Sequence, residues 1–248
     1  MELTVNLNSS LNCFLRGIMV SYYNGTVFNC DAEAIVNTVN CLGVMGAGIA
    51  LEFSLRYPAM FEDYTVKCKR NIICTGTVDY FRAADKTIIN FPTKWHFKYP
   101  SKLEWIEQGL ISFVETYRVQ QIKSVAFPKL GTYNGGLEWN TVRVLMEKYL
   151  DPIDIPVYIC LDINEAEGLE AKMLEIVNTM DLSLLKDHMR ATEKQLSVVE
   201  QYRPFKRFWM IKELDGIGIT FYSNLFNYCK SAVIAPKTGT QMSLFDSI

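Results

Sequence analysis

The chain has 248 residues, 49% apolar and 21% charged, with 25 Lys+Arg against 27 Asp+Glu and a formal charge of −2. The length suits one large domain with a small appendage, and the composition excludes wholesale disorder. Basic and acidic residues are balanced both before and after about residue 164, so neither part is a basic arm that holds polyanions by bulk charge.

Taken in chain order, Gly17–Tyr22, Ala34–Val39, Val78–Phe81, Thr87–Phe91, Ser124–Phe127 and Val157–Leu161 are short apolar runs rich in β-branched or aromatic residues, as strands require. Helical patterns lie between them. One covers Ala47–Arg56 and stops near Pro58. Another covers Ser101–Arg118, where Leu103, Ile106, Leu110, Phe113, Val114 and Tyr117 recur at spacings of three and four, with Ser101 as its expected N-cap. A third runs from Leu137 to Leu150, before Asp151-Pro152. Alternating strands and helices predict an α/β fold with a mixed, largely parallel sheet between helical layers. After Asp162 the β-like runs cease, and residues 165–235 read as a small, mainly helical appendage. Residues 236–248 read as a tail of turn-forming and small polar residues around an isolated apolar pair.

The longest nearly uncharged apolar stretch, Cys41–Leu51, holds three glycines and is far shorter than the roughly 18–20 residues that span a bilayer. With polar residues from Asn6 to Asn12 where a secretory signal would be apolar, the expectation is a cytoplasmic protein with no membrane partner. The seven cysteines (13, 30, 41, 68, 74, 160 and 229) form no CxxC pair and are expected to be reduced and mostly buried. With only His96 and His188 to join them, no metal site and no bound cofactor is expected.

Three stretches at the C-terminal ends of predicted strands carry chemistry, at the edge where open α/β sheets bind ligands. The first, Val36 to Ala50, joins Asn37 and Asn40 to a Gly43-x-x-Gly46-x-Gly48 run that enters a helix. Such a run fits either a phosphate against free backbone N–H groups or a tight strand-to-helix turn. The second, Pro128 to Leu137, is again glycine-rich and again leads into a helix; a pair of such loops suits a diphosphate. There is no GK[ST], which argues against a P-loop NTPase. The third, Asn90-Phe91-Pro92-Thr93-Lys94-Trp95-His96, sets a lysine among aromatics, where desolvation would lower its pKa and make the amine a nucleophile or base. The plain alternative is a surface lysine with its stem lying on a ring.

"VNTVNCLGVMGAGIALEF", "NFPTKWH" and "FPKLGTYNGGLEW", in this order and spacing, resemble the macrodomain family, specifically the branch of the DNA ADP-ribosyl glycohydrolase antitoxins (DarG type) and the related terminal-ADP-ribose glycohydrolases. The resemblance runs from about Gly17 to Asp162 and implies a three-layer α/β/α macrodomain over residues 1–164. It also implies an ADP-ribose cleft. The diphosphate would meet Gly43, Val44, Met45, Gly46, Gly48 and Ile49 of the first loop and Gly131, Thr132, Tyr133, Asn134, Gly135, Gly136 and Leu137 of the second. The distal ribose would lie near Thr93, Lys94, Asn37 and Asn40. Lys94 falls on the family lysine that attacks or activates the anomeric carbon, and Asn37 or Asn40 would orient the ribose or base. The implied reaction removes ADP-ribose from thymine in DNA, most simply single-stranded DNA, with a DNA ADP-ribosyltransferase toxin as a further partner. The chain departs from the family at two places. Gly25-Thr26 stands where macrodomains usually have Gly-Asp for the adenine amine, so with Thr26 as the ADP-ribose-binding residue there, adenine recognition is weaker or different. Asn134-Gly135-Gly136 lacks the second-loop acid of the eukaryotic relatives. A binding module without turnover, or an antitoxin that acts by holding its toxin, stays open on these residues.

In the tail, Gln241, Leu244 and Phe245 resemble the QxxLF peptide that docks on the bacterial sliding clamp. Tyr202 to Trp209 interleaves three bases with four aromatics, which suits either nucleic acid or a helix start with buried rings.

Overall fold

The computed structural model describes residues 20–184, 186 and 191–235. The start of the first predicted strand (17–19), Cys13, His188 and the clamp-like residues Gln241, Leu244 and Phe245 lie outside the described residues. The chain divides into two compact units between Ile163 and Asn164.

The first unit is a six-stranded mixed sheet: β1 (Val20–Tyr23), β2 (Ala34–Val39), β3 (Asp79–Arg82), β4 (Thr87–Pro92), β5 (Val125–Phe127) and β6 (Val157–Cys160). The spatial order is β1-β6-β5-β2-β4-β3, with every neighbouring pair parallel except β3 and β4. Five strands therefore end on one edge. The helices are α1 (Gly48–Arg56), α2 (Pro58–Lys69), α3 (Leu103–Thr116) and α4 (Trp139–Leu150).

Side-chain alternation along the strands sorts the two cores. Val36, Ile89, Phe91, Val125, Phe127, Val157 and Ile159 pack with Ile106, Leu110 and Phe113 of α3 and Val142, Met146 and Leu150 of α4. Ile35, Val39, Ile88, Ala126 and Cys160 pack with Phe53 of α1 and Met60, Tyr64 and Cys68 of α2 on the other face. The result is the expected three-layer α/β/α arrangement. Five of the six described cysteines are buried and all six are free thiols; only Cys74 is exposed.

α1 ends at Arg56, just before Pro58, as expected, but a further helix follows that was not expected and one expected cap is corrected. Pro58 opens α2 as a first-turn residue, with Tyr57 serving as the junction, because a first-turn proline gives up only an N–H that has no helical partner. Ser101 is not the N-cap of α3. Lys102 takes that position without a side-chain cap, while Ser101 is buried and its N–H donates to the Gly135 carbonyl at 2.9 Å.

The second unit contains α5 (Gly168–Thr179), α6 (Glu193–Tyr202) and α7 (Ile219–Ile234), with 3₁₀ turns at Leu182–Leu184 and Phe208–Glu213. Thr192 caps α6 in a reciprocal pair with Gln195. Phe208 lies edge-on to Tyr222 and Phe226 of α7, at 5.7 and 5.3 Å between ring centres. The buried Glu170 carboxylate accepts from Arg207 Nε at 3.0 Å and from the Phe208 N–H at 2.8 Å. In the segment from Tyr202 to Trp209, Phe205 and Phe208 are buried, Arg207 pairs with Glu170 and Arg203 with Glu200, while Tyr202 and Trp209 stay exposed. Among the described residues no helix is long and apolar enough to cross a membrane.

One close approach controls the site edge of the sheet. A Cβ placed on Gly109, in the middle of α3, would come within 2.3 Å of the ring of Phe91, a fully buried residue of β4. Gly109→Ala therefore overpacks the core by about 1–3 kcal/mol, more than the helix-propensity gain of up to ~1 kcal/mol returns. Urea unfolding should show a lower midpoint at unchanged slope; a midpoint equal to or above that of the wild type would refute this packing account.

Candidate active site

The loops after β2, β4 and β5 converge at the C-terminal edge of the sheet. Backbone pairing sets their starting points: β2 and β4 run in register from Ala34↔Thr87 to Val39↔Pro92, and the Thr93 N–H extends the ladder to the Val39 carbonyl at 3.0 Å. Asn40 and Lys94 consequently leave the sheet side by side.

Asn40 builds the first loop. Its Oδ1 accepts from the N–H groups of Leu42 at 2.9 Å and Val44 at 3.5 Å, and its Nδ2 donates to the Val44 carbonyl at 2.6 Å. The Asn40 carbonyl accepts from the Tyr64 hydroxyl at 2.6 Å, so α2 holds the loop from below. Burial pushes the Tyr64 phenol up, keeping it a neutral donor. The amide of Asn40, 6% exposed, is thus spent on the loop itself.

Asn37 sits one turn of the strand deeper and is fully buried. It belongs to a polar rung across the sheet, because Asn37 of β2, Asn90 of β4 and Asp79 of β3 share one register line. Asn37 Nδ2 donates to Asn90 Oδ1 at 3.1 Å, Asn90 Nδ2 to Asp79 Oδ2 at 3.3 Å, and Lys67 Nζ of α2 bonds Asp79 Oδ1 at 2.7 Å. Asn37 Oδ1 is buried without a partner, a cost of roughly 1–3 kcal/mol for a polar atom. Asn37 Nδ2 also lies 3.8 Å from Met45 Sδ, beneath the first loop.

α1 begins at Gly48 with no side-chain hydrogen bond at its N-cap, Ala47, and no acid in its first turn. Its first N–H groups and positive dipole end are therefore open to an anion. α4 differs. Glu138 caps it, accepting from the Thr141 N–H at 2.9 Å, and backbone hydrogen bonds from Asn140 and Thr141 hold the carboxyl below the usual carboxylate range. An anion would meet a carboxylate there, so α1 and not α4 is the helix placed to receive one.

The second loop meets the first at Gly48, whose φ is +56°. A Cβ there would stand 2.9 Å from Asn134 Nδ2, so only glycine fits both the backbone conformation and the contact. Within the second loop, the N–H groups of Gly135 and Gly136 donate to the Thr132 carbonyl and that of Leu137 to the Gly131 carbonyl. This leaves Thr132, Tyr133 and Asn134 as the better candidates for backbone contact with a ligand. Ser101 Oγ, buried and without a partner, lies where a Cβ on Gly135 would stand, within 2.6 Å.

Lys94 closes the arrangement. Its ammonium donates to the Asn134 carbonyl, and the Lys94 carbonyl faces Cys41 Sγ at 3.5 Å. Partial burial holds the amine below the ordinary lysine value, in the direction a nucleophile requires. Lys94, Asn134, Gly48 and the open end of α1 thus come together, with Asn40 shaping the loop between. Thr26 lies at the end of β1, where the Gly25 carbonyl accepts from the Asp162 N–H at 3.2 Å. Among the described residues no group of His, Cys, Asp and Glu could hold a metal ion.

Sequence reasoning missed Asp79 and Lys67 of the rung, α2 as the support of the first loop, Glu138 as a cap and Ser101 as a contact of the second loop. The Glu138-x-x-Thr141 spacing was the one readable signal among these.

The macro domain family model matches residues 36–146. The solved macrodomain of Mycobacterium tuberculosis DarG is 46% identical, with a TM-score of 0.53, over 57% of this chain and 98% of that one. The macrodomain of Thermus aquaticus DarG is 34% identical, with a TM-score of 0.56, over 58% and 99%. The chain belongs to the macrodomain family. Within the family it is similar to the DNA ADP-ribosyl glycohydrolase of M. tuberculosis, at 45% identity over 151 residues, which cover 56% of this chain. The match spans only 42% of that relative's length. A structure of Thermosipho africanus DarTG in complex with ADP-ribose matches 60% of this chain at 32% identity and a TM-score of 0.56.

Asn40→Ala removes the acceptor of two loop N–H groups. Hydrogen exchange at Leu42 and Val44 should accelerate at least tenfold while the β2 amides keep their protection; unchanged exchange at Leu42 would show that the loop stands without this side chain.

Proposed function

We propose that this protein is an ADP-ribosyl glycohydrolase that removes ADP-ribose from modified bases, thymine first among them, in DNA. The observation that carries the reading is Lys94: a desolvated amine at a strand end, tied to the second loop and set beside an uncapped helix N-terminus. In this reading the diphosphate takes the N–H groups of Gly48 and Ile49 and of Met45 and Gly46 in the first loop, with Thr132 to Asn134 facing it from the second loop. Thr26 borders the adenine end. The distal ribose then lies over Lys94.

The neutral Lys94 amine attacks the anomeric carbon as the bond from that carbon to the base nitrogen breaks. The base leaves with the bonding pair and takes up a proton, the amine loses one, and the lysine is linked to the sugar. Water hydrolyses this adduct, releasing ADP-ribose and restoring the amine. The second loop has no carboxylate to activate that water, and the neighbouring acid, Glu138, is committed to its cap. The second step is therefore the slow one, and the adduct accumulates. Asn40 acts through the loop it shapes and Asn37 through the rung beneath it. A DNA ADP-ribosyltransferase toxin is the proposed source of the substrate. The similarity to a transferase–glycohydrolase fusion protein from T. africanus, 33% identical over 165 residues, supports that pairing.

Incubation with a thymine-ADP-ribosylated single-stranded oligonucleotide should release free ADP-ribose, and Lys94→Ala should slow release by at least a hundredfold. Borohydride should trap an ADP-ribosyl mass on the Lys94 peptide of the wild type. Release by neither protein removes the enzyme, and equal release by both removes the lysine. The sign of the pH dependence follows from the lowered pKa: the neutral amine grows as pH rises through that value, so kcat/KM climbs to a plateau below the ~10.4 of an ordinary lysine. A rate that falls over that range is incompatible with an amine nucleophile.

For the tail, we propose that Gln241, Leu244 and Phe245 dock on the polymerase sliding clamp. Truncation after Thr240 should abolish retention on immobilised clamp, and equal retention of both forms would remove this partner.

A further inference from the structure

The segment between β4 and α3 contains a feature that neither the hydrolysis reaction nor the sheet explains. Lys94, Trp95, His96, Phe97, Lys98, Tyr99 and Lys102 alternate bases with rings, and no acidic residue occurs between Asp85 and Glu104. A core segment would bury those rings. Here Trp95 is 55%, Phe97 43% and Tyr99 60% exposed. The backbone beneath them is nevertheless tied down at several points. The Trp95 carbonyl accepts from the Cys41 N–H at 3.1 Å, the Tyr99 N–H donates to the His96 carbonyl at 3.1 Å, and the Ser101 N–H donates to the Gly135 carbonyl at 2.9 Å. The Lys98 N–H donates to His96 Nδ1 at 3.0 Å, which orients the imidazole as a central spacer. Its ring centre lies 5.9, 4.5 and 5.0 Å from those of Trp95, Phe97 and Tyr99. The rings are held in place and stay about half exposed, Phe97 with one face stacked on His96.

We propose that Trp95, Phe97, Lys98, Tyr99 and Lys102 form a platform for single-stranded DNA that receives the nucleotides flanking the modified base. Exposed rings offer stacking faces to any base, and the lysines between them meet the phosphates. Position supplies the second argument. Lys94, which opens the segment, is bonded to Asn134 of the second loop, so the first ring stands one residue from that amine. The strand must be single because its bases have to leave their own stack to lie on protein rings. The platform also reconciles a protein of net charge −2 with a polyanionic substrate: the positive charge is local and sits beside the chemistry. The proposal rests on the reading that the substrate is ADP-ribosylated DNA, and it adds where the DNA lies.

Anisotropy of a labelled, unmodified 12-mer of single-stranded DNA tests the platform without requiring turnover. Trp95→Ala, Phe97→Ala and Tyr99→Ala should each weaken binding by roughly tenfold. K98E/K102E should weaken it further and flatten its dependence on salt, whereas Tyr99→Phe should bind as the wild type does. All variants should keep wild-type affinity for ADP-ribose by calorimetry, which establishes that they are folded with an intact cleft. Wild-type DNA affinity in both K98E/K102E and the ring variants overturns the platform. Equal or tighter binding of the matching duplex or of RNA overturns the single-stranded DNA assignment. A second comparison separates this proposal from the catalytic one. If ADP-ribose is released from a modified 12-mer and from a modified mononucleotide with equal kcat/KM, the platform is wrong although the enzyme stands. If neither is cleaved but the 12-mer anisotropy responds to the variants as stated, the platform stands and the hydrolase is wrong.

Discussion

The pairing of β2 with β4 is the constraint on which the site depends. Both strands are almost wholly buried and parallel, and side chains alternate between two different cores, so a slip of one residue would send each strand's apolar set to the wrong face. The polar rung makes that slip more expensive still. Asn37, Asn90 and Asp79 reach one another only in the observed register, and Lys67 ends the chain of bonds on α2. A misregistered sheet would strand several of these groups at roughly 1–3 kcal/mol each. Locking this one pair of strands also fixes where Asn40 and Lys94 leave the sheet, before either loop has made a contact of its own.

The two glycine-rich loops look equivalent in sequence, yet the structure gives them different electrostatics. Both precede helices, but α1 starts without a cap and α4 starts under a carboxylate. A macrodipole is worth only about 0.3–1 kcal/mol to a nearby charge, so the discrimination comes as much from free N–H groups as from the field. The second loop instead supplies shape. Its internal hydrogen bonds make a compact turn, the Asn134 side chain lies against Gly48, and the Asn134 carbonyl accepts from Lys94. One residue thus joins all three converging stretches.

What was legible in the sequence followed from periodicity. β2 was read to the residue because its apolar run is bounded by polar groups, and the stripe from Leu103 to Phe113 located α3 to within two residues at each end. Lys94 stood out for its aromatic neighbours, and the structure places it partly buried as that pattern implied. The misses concern information that sequence order does not hold. Pro58 follows the end of α1 and also opens α2, and only the first of these was read. Asn37 and Asn40 looked alike as strand-end amides, but one lies in a cross-strand rung and the other folds back on its own loop, a distinction set by register. Ser101 satisfied the local rule for a cap and was claimed by a loop some 30 residues away.

The segment from Trp95 to Pro100 is anchored at both ends while its large side chains point outward. Lys94 and Ser101 are fastened to consecutive residues of the second loop, Asn134 and Gly135, so the intervening stretch resembles a cassette clipped into a frame. Its outward rings pack on His96 of the same stretch. The stretch thus presents its rings from a frame set by β4, α3 and the second loop, so what it displays is separate from what holds it.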